Sequence, residues 1–186
     1  MDETSQRERM LAGRLYMASD PELVALTGRA QHLVHQINAT RADDTATLTA
    51  LLTRLLGRLG EGAIVKPSFR CDYGVHISIG ERTFVNYDCV FLDCATITIG
   101  AEVQIAPGVH LYTATHPLDA ATRRSGLEAA HPITIGDGVW LGGRVVVCPG
   151  VTIGENTVVG AGSVVTRDLP AGVLAAGAPC RPVRTL

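Results

Sequence analysis

Between Leu59 and Val165 an apolar residue opens a six-residue unit fifteen times. The openers are Leu59, Val65, Cys71, Ile79, Val85, Phe91, Ile99, Ile105, Leu111, Ile135, Leu141, Val147, Ile153, Val159 and Val165. From Ile135 to Pro170 the units follow one another without a break. A period of six, with glycine frequent just after the opener, predicts an all-β parallel β-helix. Each unit makes one flat side and one turn, and three sides close a coil of about 18 residues. On this reading only the opener points deep into the prism. Gly136, Gly142, Gly154 and Gly160 let the chain turn by accepting positive φ.

Four strings share one place on the prism: I-S-I-G (77–80), I-T-I-G (97–100), I-T-I-G (133–136) and V-T-I-G (151–154). They are spaced by 20, 36 and 18 residues. The interval of 20 implies two-residue bulges, within Cys71–Ser78 and Phe91–Thr98. The interval of 36 is one coil plus an inserted loop over 117–132, which begins just after His116. The repeat region, 59–170, then makes about five coils, stacked at the usual strand spacing of about 4.8 Å.

The first 58 residues have a helical period instead. Asp20-Pro21 is a helix start, with a carboxylate cap and proline in the first turn. Leu23, Leu26, Ala30, Leu33 and Ile37 follow on one face. Asp43 or Asp44 caps the next helix, whose apolar face is Leu48, Leu51, Leu52, Leu55, Leu56 and Leu59. A shorter helix is expected over Arg7–Tyr16. Together these helices (1–58) would cover the open first coil, which otherwise presents an unpaired edge. The tail, 171–186, reads as extended by its proline content.

Composition narrows the function. A net charge of −2 argues against nucleic acid or an anionic membrane as a partner. No apolar run reaches membrane-spanning length and no export signal is visible, so a cytoplasmic chain is expected. The five cysteines form no C-x-x-C and read as reduced thiols, with Cys71 a small buried hydrophobe.

His116 is the first candidate for chemistry. It sits where scaffold gives way to loop, and imidazole titrates near neutrality. His76, His110, His116 and His131 also leave open a metal site shared between subunits. Asn86 and Asp93 can be read as stacked polar corners of the prism.

The strings N-Y-D-C-V-F-L-D (86–93), A-P-G-V-H-L-Y-T-A-T-H-P (106–117), P-I-T-I-G-D-G-V-W-L-G-G (132–143) and A-A-G-A-P-C-R (175–181) resemble the maltose and galactoside O-acetyltransferases. The nodulation acetyltransferases are similar. The resemblance runs from Arg7 to Arg184. It implies a left-handed β-helix, a homotrimer with active sites between prisms, acetyl-CoA as donor, no metal, and a sugar hydroxyl as acceptor.

His116 falls on the family's catalytic histidine, the general base. Asn86, Asp93 and Asp72 fall at or beside acceptor contacts. Trp140, Gly143, Ala161, Thr166, Arg167, Arg181 and Arg184 fall on or near the coenzyme groove, where the arginines suit phosphates. The chain departs from the family after Leu15-Tyr16. Met17 and Ala18 stand where the family often carries Asp or Asn as an acceptor contact. The alternatives are the same chemistry on serine, an antibiotic or a lipo-oligosaccharide, or a γ-type carbonic anhydrase.

Overall fold

A computed structural model describes residues 4–186. Helix α1 (Gln6–Leu11) starts in a capping box: Glu8 N–H donates to Ser5 Oγ, and Ser5 N–H donates to the Glu8 carboxylate. It is shorter than the expected Arg7–Tyr16. Gly13 turns the chain at φ +68°, and Tyr16–Met17 is a strand. Helix α2 (Pro21–Ala39) starts at Asp20, whose carboxylate accepts from Glu22 N–H. Helix α3 (Thr45–Leu55) is capped by Asp44, which accepts from Thr47 N–H. Their apolar faces pack on the prism's first coil and join one continuous core with it. Asn38 fastens this contact, since its amide pairs with both the N–H and the C=O of Phe69.

From Arg58 the chain winds through three parallel sheets. The first face holds Arg58–Leu59, Ile77–Ile79, Ile97–Ile99, Ile133–Ile135 and Thr152–Ile153. The second holds Ile64–Val65, Phe84–Val85, Gln104–Ile105, Trp140–Leu141, Val158–Val159 and Val173–Gly177. The third holds Phe69–Cys71, Cys89–Leu92, His110–Tyr112, Val146–Val147 and Val164–Val165. Ile77 pairs with Ile97 and Ile97 with Ile133, so the long interval is one coil plus an excursion. Leu169 bridges to Ile153, and Val173–Gly177 adds a further strand, so a partial sixth coil follows the five. The tail is therefore a hairpin: Cys180–Thr185 folds back antiparallel on Val173–Gly177.

Two features of the repeat differ from expectation. The opener is not the only inward residue. Val103, Val109, Val139 and Val145, each two places before an opener, are fully buried as well. A strand alternates its side chains, so residues two apart share the inner face. The glycines after the openers also serve another purpose. Gly136, Gly142, Gly154 and Gly160 are not among the positive-φ residues. A Cβ on Gly136 would lie 2.6 Å from Glu155 N, so the small residue permits close stacking of coils. Positive φ falls three places before the opener, at Arg82, Asp88, Glu102, Arg144, Asn156 and several glycines. Among the described residues no helix is long and apolar enough to cross a membrane.

Candidate active site

The departures from the six-residue period stack on one corner, between the third and first faces. Asp72–His76 fills that corner in one coil and Asp93–Thr96 in the next. Residues 113–132 leave the prism there in the coil after. The excursion is a folded hairpin. Strand Ala114–Thr115 leads out, helix α4 (Ala120–Arg124) turns it, and strand Leu127–Ala130 returns. Ala114 pairs with Ala130, and Tyr16–Met17 of the cap adds a third antiparallel strand beside Glu128 and Leu127. Thr113 pins the base of the hairpin, because its hydroxyl donates to Leu92 O and accepts from Ala95 N–H.

His116 follows Thr115 and is exposed. It stands just past strand Ala114–Thr115, which pairs through the hairpin to the N-terminal cap.

Asp93 lies behind the surface. It is fully buried, and its Oδ1 accepts from Asp72 N–H at 3.1 Å and Tyr73 N–H at 2.8 Å. Its Oδ2 accepts from His76 N–H at 3.2 Å. These bonds hold the bulge of the preceding coil. The acceptor contact expected of Asp93 has no exposed oxygen to make it in this chain alone.

Asp72 is partly exposed on that bulge. Burial raises its carboxyl to about 6, with Asp93 and Glu128 pushing the same way and a bond from Cys94 opposing them. Cys94 Sγ donates to Asp72 Oδ2 at 3.4 Å. Tyr16 is fully buried beside Cys94 and donates its hydroxyl to Glu128 Oε2 at 3.1 Å. Burial pushes the Tyr16 and Cys94 acids well above their ordinary values, so both stay protonated as donors. Tyr16, Cys94 and Glu128 were not foreseen from sequence. The departure at Met17 and Ala18, just after Leu15-Tyr16, was the one signal pointing toward them.

Asn86 belongs to a different corner, where the second face ends. Below it in successive coils stand Ala106, Gly142, Gly160 and Ala176, each following a second-face strand residue. This column of small residues leaves room for an extended arm to lie against the backbone, as a pantetheine chain requires. Exposed Trp140 borders it in a shallow depression shared with Phe84, Asn86 and Gln104. Gly143 and exposed Ala161 continue the same corner. Thr166 and Arg167, both exposed, sit instead on the corner of His116, after the third-face strand Val164–Val165. Arg181 and Arg184 lie on the returning arm of the terminal hairpin. Thus one prism carries the candidate residues as two half-sites, on the two corners that flank the third face. Asp72, His116, Thr166 and Arg167 are on one corner; Asn86, Gly143 and Ala161 are on the other.

Comparison with known proteins identifies the family and the fold. A maltose acetyltransferase hexapeptide capping motif matches residues 9–60, and a bacterial transferase hexapeptide motif of six repeats matches residues 132–167. The galactoside O-acetyltransferase of Escherichia coli is 39% identical over 179 residues, covering 96% of this chain and 88% of that protein. The crystal structure of a maltose O-acetyltransferase from Clostridium difficile superposes with a TM-score of 0.97 at 45% identity, covering 98% of this chain and 97% of that one. A hexapeptide-repeat acetyltransferase of Vibrio cholerae, complexed with acetyl coenzyme A, matches with a TM-score of 0.92 at 43% identity over 98% of each chain. The prism is the left-handed β-helix of these proteins.

Proposed function

The chain belongs to the hexapeptide-repeat acetyltransferases that include the maltose and galactoside O-acetyltransferases, and from that premise we propose that it acetylates a hydroxyl of a sugar such as maltose, glucose or a galactoside. It is an acetyltransferase, and its donor is acetyl-CoA. The observation that carries the sugar reading is the stacking of both bulges and the excursion on one corner. That arrangement sets a carboxylate, Asp72, on the corner from which His116 emerges.

In this reading His116 is the general base. A ring nitrogen takes the proton from the acceptor hydroxyl as the oxygen attacks the thioester carbonyl. The new bond is oxygen to acyl carbon, the broken bond is carbon to sulfur, and the proton leaves with the thiol. Asp72 and Asn86 orient the acceptor through its hydroxyls, with Asp93 holding Asp72 in place. Trp140, Gly143 and Ala161 line the donor arm, Thr166 and Arg167 border it, and Arg181 and Arg184 answer its phosphates.

Because the half-sites lie on separate corners, we infer a homotrimer in which one protomer's Asn86 corner meets a neighbour's His116 corner. The test is release of free thiol from acetyl-CoA with maltose, glucose, a galactoside and serine offered in turn. Sugar-dependent release supports the reading; release with serine alone overturns it.

A further inference from the structure

We propose that Glu128 is an acceptor-contacting residue that makes the site select uncharged sugars over anionic ones. This rests on the sugar-acetylating reading above. The hairpin register carries the argument. Ala114 pairs with Ala130 and Thr115 with Ala129. Continued by one residue, that register sets Glu128 across from His116, and directly opposed residues on an antiparallel pair present their side chains to the same face about 5 Å apart.

The other neighbour of Glu128 is Tyr16, on the cap strand. The Tyr16 hydroxyl is buried and donates to Oε2, which fixes the carboxylate in place and leaves its second oxygen to accept from elsewhere. Asp72 feels the charge of Glu128, so the two carboxylates stand on the same corner. Met17 pairs with Leu127 and supplies no polar group to this surface. Glu128 is thus a polar residue, held by the cap strand, that the continued hairpin register sets across from His116.

A carboxylate at that position accepts from a neutral hydroxyl. It repels an acceptor that is itself a carboxylate, most strongly where water is displaced.

The experiment measures kcat/KM for two matched pairs, glucose against glucuronate and galactose against galacturonate, with saturating acetyl-CoA. The wild-type protein is expected to prefer the neutral member of at least one pair by tenfold or more. Glu128→Gln should shrink that preference severalfold and raise the KM for the neutral sugar, while the KM for acetyl-CoA stays unchanged. Tyr16→Phe, which frees the carboxylate without removing it, should raise the sugar KM less than Glu128→Gln. Equal kcat/KM for neutral and anionic members in the wild type overturns the proposal, whatever the variants do. So does an unchanged preference in Glu128→Gln. Acetylation of no sugar at all by the wild type overturns both this proposal and the reading beneath it, which separates the two failures.

Discussion

At the scale of single residues, the corner between the third and first faces is unusual for its polar groups. Asp93 is a buried carboxylate that accepts from three backbone N–H groups, and it converts a bulge into a fixed platform. Asp72, on that platform, is the partly buried partner, and burial raises its carboxyl. An acid whose folded pKa is raised, here from 3.8 to about 6, binds its proton more readily folded than unfolded. Its folded form is therefore favoured at low pH and loses relative stability as pH rises through that window. Asp72→Asn should accordingly gain thermal stability over the wild type at pH 8, with the gain shrinking toward pH 4. Melting curves at the two pH values check this, and a gain confined to pH 4 would contradict it. Asp72 was legible as a site candidate, but its string of neighbours was not. Tyr16 and Glu128 are 112 positions apart, and no local pattern links them.

At the scale of elements, the hexad period revealed where each strand lies but misassigned its glycines. The period records which side chains face inward; it carries no record of how closely coils stack. Gly136 illustrates the difference. Its φ is ordinary, yet a Cβ there would meet Glu155 N at 2.6 Å. Gly136→Ala should therefore cost about 1–3 kcal/mol through overpacking between coils, read as a shift in denaturant midpoint. Gly28, on α2, has open space around it, and Gly28→Ala should stabilise by about 0.5–1 kcal/mol. The excursion after His116 was visible only as a length. Its helix and its pairing with the cap strand are tertiary, and α4 is too short to announce itself by periodicity. The tail is extended, as its prolines suggested, but its pairing was not legible: Val173–Gly177 completes a vacant parallel edge and Cys180–Thr185 folds back on it.

At the scale of the whole molecule, the β-helix acts as a ruler that puts the candidate residues on its corners. Small residues run down one corner beneath Asn86, while bulges and the hairpin gather on another around His116. A single prism keeps these sets apart, and the proposed trimer would join them. Light scattering is expected to give three times the mass of the 186-residue chain. A monomer with full activity would contradict a shared site. The central claim is that His116 activates the acceptor hydroxyl, and sugar-dependent thiol release from acetyl-CoA by His116→Ala tests it most directly. The account predicts a loss of about 10²–10⁴ in turnover, with the assembly and acetyl-CoA binding preserved. Turnover within a few-fold of the wild type would contradict it.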